Sequence, residues 1–437
     1  MQTTFVRWTA VAVLAAAPAA ATIRQVPGSY ATIGAALAAS SAGDVVQVAP
    51  GTYSVSANGE TFPLSVVQDV HLAGAGMGLC TLDAQGSESV VSMNAPSGGR
   101  VSGFTITGGR APSGGGFLVQ QGDPEIDHNL IVSNGAQFRG AGIFAVKAGP
   151  PACAPWIHHN VVWMNYDTVL GDAVDVHGVV TADNVRGVIE NNLIGRTDGN
   201  GALTSTSSAP TIRQNIFFEN GTTATVPPRG RGICWLSSEP AAIYHNLFHA
   251  NVVAALLWPP AGGNFSGAAS NDVSATDLVY GNADGDPLLR DVDALDFRLQ
   301  PSSPAIDAGD PSLPHDPDGT VADVGPFWFD QSGATGAPET SRGNRDLAVS
   351  VSPNPFRADE GARIRWSVAR DGDVSVTILD VAGRRVRTLA SGRRGAGTAE
   401  TRWDGRAENG ARVAAGVYLV LVREERGART APVLLLR

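Results

Sequence analysis

Asp175-Val-His177 is the pair in this chain best spaced for proton transfer. Two residues apart on a strand, a carboxylate and an imidazole share one face, where they could act as general acid and base on a sugar ring. The pair sits in the longest insertion of an otherwise regular region, between Asn165 and Ile189, with Asp167, Asp172, Asp183 and Arg186. Asp172, Asp175, His177 and Arg186 form the candidate catalytic set; the competing reading is a polar outer face on a looped-out coil. Asp316-x-Asp318-Gly319-x-x-x-Asp323 sets oxygen ligands around a Gly turn, as a Ca²⁺ site requires. Asp307 and Asp310 are near enough in sequence to add to it. The third ligand and terminal Glu of an EF-hand are missing, and a plain Asp/Gly turn is the alternative. His128, His159 and His245 each directly precede an equivalent Asn, which favours a ladder of stacked polar side chains over a metal set. Trp156, Trp163, Trp235 and Trp258 offer either a sugar-stacking strip or packing in core and loops. Cys80, Cys153 and Cys234 are odd in number and widely spaced, so they suit burial better than a disulfide framework.

These groups must be positioned by a repeat. The pattern apolar-x-x-Asn-apolar-apolar-x-x-Asn occurs at Ile126-Asp-His-Asn129-Leu-Ile131-Val-Ser-Asn134 and at Ile157-His-His-Asn160-Val-Val162-Trp-Met-Asn165. It returns at Ile189-Glu-Asn-Asn192-Leu-Ile194, with Thr197 for the second Asn, at Ile212-Arg-Gln-Asn215 through Asn220, and at Ile243-Tyr-His-Asn246 through Asn251. Strands this short cannot bury an apolar face alone. Stacked at about 4.8 Å, each pairs with the strands above and below it. Asn tolerates the left-handed backbone of a sharp corner, and stacked amides can hydrogen-bond along the axis. Leucines at horseshoe offsets are absent, and the unit is too short for a propeller blade. The expected architecture is all-β, a right-handed parallel β-helix over residues 22–300. Upstream, Tyr30–Ala39 has helical spacing and would cover the apolar end of the stack.

Thr32-Ile-x-x-Ala-Leu37, Val48-Ala-Pro-Gly-Thr-Tyr53, Glu60-Thr-Phe-Pro-Leu64 and Ser303-Pro-Ala-Ile-Asp-Ala-Gly309 resemble the pectate-lyase-like β-helix superfamily, and within it a group of secreted bacterial members. That resemblance implies the fold and, for some members, action on polysaccharide. The catalytic motifs of those members are incomplete here. Trp156-Ile-His-His159 lacks the acid of the Trp-Ile-Asp-His segment of pectate lyases, and no Arg-x-Pro-x-x-Arg follows. Val176-His177-Gly178 is not the Gly-His-Gly of polygalacturonases. Asp175-Val-His177 is similar to the Asp-Pro-His-acid motif of mannuronan C5-epimerases, with Val176 for the Pro and Gly178 for the acid.

Beyond a closing segment and linker at 301–345, the pattern changes. Ile364-Arg-Trp-Ser-Val, Val374-Ser-Val-Thr-Ile-Leu and Val417-Tyr-Leu-Val-Leu are alternating strands between polar turns, which predict an immunoglobulin-like β-sandwich over 346–437. Ser352-Pro-Asn-Pro-Phe356, Asp404-Gly405 and Gly416-Val-Tyr418 resemble two domains: that of flagellar hook-capping proteins and the C-terminal sorting domain of type IX secretion cargo. The resemblance implies a role in export, attachment or assembly. Residues 1–21 read as a signal peptide: Arg7, a short apolar core and a small-residue cleavage site. The apolar stretch is too short to span a membrane.

The formal net charge of −10 is unevenly spread, about +5 over 346–437 and −15 over the rest. An acidic body excludes nucleic acid as the partner and repels anionic polysaccharide unless a cation bridges them. Ca²⁺ at Asp316, Asp318 and Asp323 is the one cofactor the sequence suggests. The expectation is a secreted or cell-surface monomer that binds a polysaccharide or cell-surface component. The alternative is a polysaccharide lyase, C5-epimerase or glycoside hydrolase acting on an acidic polysaccharide.

Overall fold

In the computed structural model, the triplets of the repeat become three-residue strands, and each gives its middle side chain to the interior. The structure describes residues 21–66, 69–94, 98–147, 153–167, 174–178, 185–197, 201–221, 230–235, 241–258, 263–271, 278–331, 348–352, 356–357, 361–368, 371–380, 385–413, 416–424 and 427–436. Among them, parallel strands stack into a ten-stranded first sheet and two nine-stranded sheets. Register is strict: Ile126, Ile157, Ile189, Ile212 and Ile243 lie side by side in the first sheet. Ile131, Val162, Ile194, Phe217 and Phe248 do the same in the second. All ten are buried in one continuous core. This is a parallel β-helix, as the repeat predicts.

The corner between the first and second sheets carries the asparagine ladder. The Oδ1 of Asn160 accepts from the backbone N of Asn129 at 3.1 Å and from its Nδ2 at 3.2 Å. The same bonds run on through Asn192, Asn215 and Asn246. A sixth rung, Asn282, extends them beyond the five copies of the motif. One expectation is corrected. The left-handed residue of this corner is the one before the Asn: His128, His159, Asn191, Gln214 and His245, with φ between 49° and 54°. The Asn is turned inward, where its amide replaces water for backbone groups the corner leaves unpaired. His and Asn are among the residues that best tolerate that backbone, which explains their recurrence there. A second ladder follows, in which Asn134 donates to Asn165 and Thr197 to Asn220.

One end is covered as expected by a helix, Ile33–Ala38, whose Ile33 and Ala36 join the core. The buried Glu60 accepts the backbone N–H groups of Ile33 and Gly34 at the helix start, a structural role for the Glu-Thr-Phe-Pro-Leu motif. At the other end, strand Gly263–Phe265 pairs antiparallel with Ala254–Trp258. The chain then folds back. A hairpin of Leu289–Asp291 and Asp296–Leu299 and the segment to Gln331 lie along the second sheet's outer side, where Phe297, Leu299 and Val324 pack against Val132, Trp163 and Phe218.

The C-terminal unit has a three-stranded antiparallel sheet (Ala348–Ser352, Ala362–Val368, Gly397–Trp403) and a five-stranded one. Its own core includes Ile364, Trp366, Val376, Trp403 and Val420. The expected linker and signal peptide fall almost wholly outside the described residues. All three cysteines are free and buried. No described helix is long and apolar enough to cross a membrane.

Candidate functional site

Each first-sheet strand turns its middle residue inward, so its flanking residues face out. In register, the outward column after the Ile reads Ser102, Asp127, His158, Glu190, Arg213, Tyr244 and Tyr280. The column before it holds Arg100, Glu125 and Trp156. Together they form one polar network. Arg100 grips Asp127 with two bonds of 2.8 and 2.6 Å and lies 3.4 Å from Glu125. His128 Nδ1 meets Asp127 at 2.7 Å, and His158 bridges Glu125 at 3.1 Å and His159 at 2.9 Å. The Trp156 indole donates to Glu190 at 2.6 Å. Glu190 also takes Arg213, whose Nη1 donates to the Tyr244 hydroxyl.

Burial sets the protonation states. It would raise the Asp127 carboxyl, but hydrogen bonds from His128 and Arg100 outweigh it and hold the group well below the carboxylate range. Burial, reinforced by His158 and His128, pushes the His159 imidazole down to about 4, so it is neutral at pH 7. Burial lowers His158 as well.

The folded-back segment supplies a second wall. Asn191 Nδ2 donates to the carbonyls of Asp323 and Gly325, and the N–H of Gly325 to the carbonyl of Gln214. Between the walls lies a cleft of about 490 Å³ lined by His128, Trp156, His159, Glu190, Arg213 and Gln214 on one side and by 313–317, Asp323 and Trp328 on the other. Trp156 and Trp328 are each 44% exposed. Gln214 is 2% exposed, and its Oε1 meets no donor among the described residues.

Glu125, Asp127 and His158 each offer a ligand atom, all within 4.8 Å of one another, a composition suited to a metal ion. The Arg100 guanidinium, however, already bonds Asp127 twice and stands beside Glu125. The positive charge a cation would supply is there already.

The sequence-chosen residues lie elsewhere or apart. Asp172 falls outside the described residues. Asp175 and His177 are on strand Val174–Gly178 of the third sheet, in register with Phe144 and Val146 of the preceding coil. Arg186 lies exposed at the corner leading into the first sheet, its backbone N–H on the Cys153 carbonyl. Asp316, Asp318 and Asp323 do share one segment, with their carboxylates turned to N–H donors. Asp316 accepts from Asp323 N, Asp318 from Thr320 and Gln331, and Asp323 from Asp307 and Phe329. Burial chiefly, with Asp316 and Asp307 nearby, pushes the Asp323 carboxyl up to about 6 against those bonds.

The tryptophan strip is corrected: Trp163 and Trp235 are fully buried, and the Trp258 side chain lies outside what is described. Of the histidines, His128 and His159 stack 5.1 Å apart, while His245 bonds the Ala308 carbonyl several coils away. Glu125, Asp127, His158, Glu190, Arg213 and Trp328 were not singled out by sequence reasoning. For Asp127, His158, Glu190 and Arg213 the signal was the residue after each repeat Ile, which reads Asp, His, Glu, Arg, Tyr in successive coils.

A family model described as a protein of unknown function (DUF1565) matches residues 19–254, and one for the FlgD Ig-like domain matches residues 354–428. No curated protein matches the chain. Among solved structures, pectate lyase Pel9A is 13% identical over 71% of this chain and 96% of its own, with a TM-score of 0.38. Dimeric latent PorU of Porphyromonas gingivalis is 25% identical over 21% of this chain and 9% of its own, with a TM-score of 0.18. PorZ of the same organism, a surface component of the type-IX secretion system, is 28% identical over 21% and 12%, with a TM-score of 0.16. The chain thus spans only about a tenth of the length of PorU and PorZ.

Proposed function

The chain belongs to the DUF1565 family of proteins of unknown function, and from that premise we propose that it is an exported or cell-surface glycan-binding β-helix. In this reading the ligand occupies the cleft between the first sheet and the folded-back segment, and the immunoglobulin-like domain serves attachment. One observation carries it: a half-exposed tryptophan on each wall of an open cleft whose other lining combines proline rings with hydrogen-bonding groups. Aromatic faces against sugar rings, with a few polar groups to fix hydroxyls, are what such a ligand requires.

Binding is favoured over catalysis because Arg186 sits at the entrance to the first sheet while Asp175 and His177 belong to the third. A lyase, epimerase or hydrolase working through Asp172, Asp175, His177 and Arg186 would need them around one substrate. The test is affinity electrophoresis of the full chain against a panel of soluble polysaccharides. Retardation lost in Trp156→Ala and Trp328→Ala supports the cleft. Retardation unchanged in both, or polysaccharide cleavage abolished by Asp175→Asn, refutes it.

A further inference from the structure

We infer that the glycan this cleft accepts is an uncharged chain and that its capture needs no calcium. This deepens the reading above and rests on it. The argument is charge complementarity. A sugar carboxylate or sulfate is held by a guanidinium fork or an ammonium free to face it. The Arg213 guanidinium is turned inward to Glu190 and Tyr244. Arg100, in the same network, is committed to Asp127 and Glu125. The opposite wall brings Asp316 and Asp323 beside a single imidazole, His315, whose Nδ1 lies 3.1 Å from the Gly319 carbonyl, and the body of the chain is net negative. An anionic chain would meet like charge on both scales.

Calcium is the usual way round such repulsion, and the closing segment is poorly placed to supply it. Both oxygens of Asp318 and of Asp323 already accept hydrogen bonds from this chain. What the cleft does offer is flat and uncharged: the two indoles and the rings of Pro314, Pro317 and Pro326. These suit the C–H faces of neutral pyranoses.

The test compares two ligand classes on untagged full-length protein: xylan, glucomannan and mixed-linkage β-glucan against polygalacturonate and alginate. Each is run at low and high NaCl, with CaCl₂ and with EDTA. The expected result is binding to at least one neutral polymer, unchanged by salt or EDTA and weakened about tenfold or more in Trp156→Ala and in Trp328→Ala. Both tryptophans are half-exposed, and circular dichroism checks that each variant is folded before its binding is read. Binding confined to the polyuronates, or abolished by EDTA or high salt, overturns the uncharged-ligand inference and leaves glycan binding standing. Retardation by neither class sinks the underlying reading as well.

Discussion

The first and second sheets are built from the same repeat, coil by coil, yet their outer faces differ. On the second sheet the outward residues are Leu130, Val161, Leu193, Ile216, Trp163 and Phe218, and the chain covers them with its own hairpin. Gly195 makes room for the Trp163 ring of the preceding coil, since a Cβ there would come within 2.3 Å of it. On the first sheet the outward residues are Arg100, Asp127, His158, Glu190 and Arg213, held in one polar network, of which Glu190 and Arg213 line a cleft. One face is spent on a second core; the other is a hydrogen-bonded network bordering an open cleft. The inner core of a coil therefore says little about function, which resides in what each coil turns outward.

The contrast is sharpest in the tryptophans. Trp163→Ala empties a fully buried site between the second sheet and Phe297 and should cost about 3–5 kcal/mol in urea unfolding. Next comes the corner both faces share. Asn192→Ala strips the acceptor from the N and Nδ2 of Asn160, with an expected loss of about 2–3 kcal/mol. Hydrogen exchange there should quicken at the neighbouring rungs. On the polar face, Arg213→Ala leaves the mostly buried Glu190 carboxylate with the Trp156 indole, a loss of about 2 kcal/mol. A cost for Arg213→Ala equal to that of Trp163→Ala would erase the distinction between the faces.

Acid should act on the first sheet before the second. His159 stays neutral in the fold down to about pH 4, whereas the unfolded chain takes up its proton near pH 6.5. Stability is therefore full above that value and falls as pH drops from 6.5 towards 4. His159→Gln should flatten that limb of the urea-midpoint profile. Asp323 works in the opposite sense. Its folded value of about 6 lies above the unfolded one, so its contribution is fully present below the ordinary carboxylate range and is lost as pH rises to 6. Asp323→Asn should remove that slope. Smallest of all is Trp328→Ala, at a half-exposed side chain, expected to change stability by less than about 1 kcal/mol while removing glycan retention.

The interior was legible in the sequence because an inward position tolerates few residues. Ile, Val or Phe fills the sheet positions, and an Asn amide alone both donates and accepts at each rung. The capping helix was legible for the same reason. The outer column was not, because nothing restricts its residue type from coil to coil. Asp127, His158, Glu190, Arg213 and Tyr244 share no property but their register, and only register shows that they line up along the axis. His128 and His159 were seen, but as corner residues. Their left-handed backbone bears that out, while their link to Asp127 and His158 came only with coordinates. Trp328 is distant in sequence and reaches the cleft by the fold-back.

Successive rungs of the ladder are 31, 32, 23, 31 and 36 residues apart along the chain, yet each is a single step of the same bond. The contour between rungs is elastic and the step is fixed. Duplicating a coil, such as the one from Asn192 to Asn215, would thus lengthen the first-sheet face by about 4.8 Å without disturbing its neighbours. The first-sheet face is a ruler graduated in whole coils, and its length can change only by adding or removing a mark.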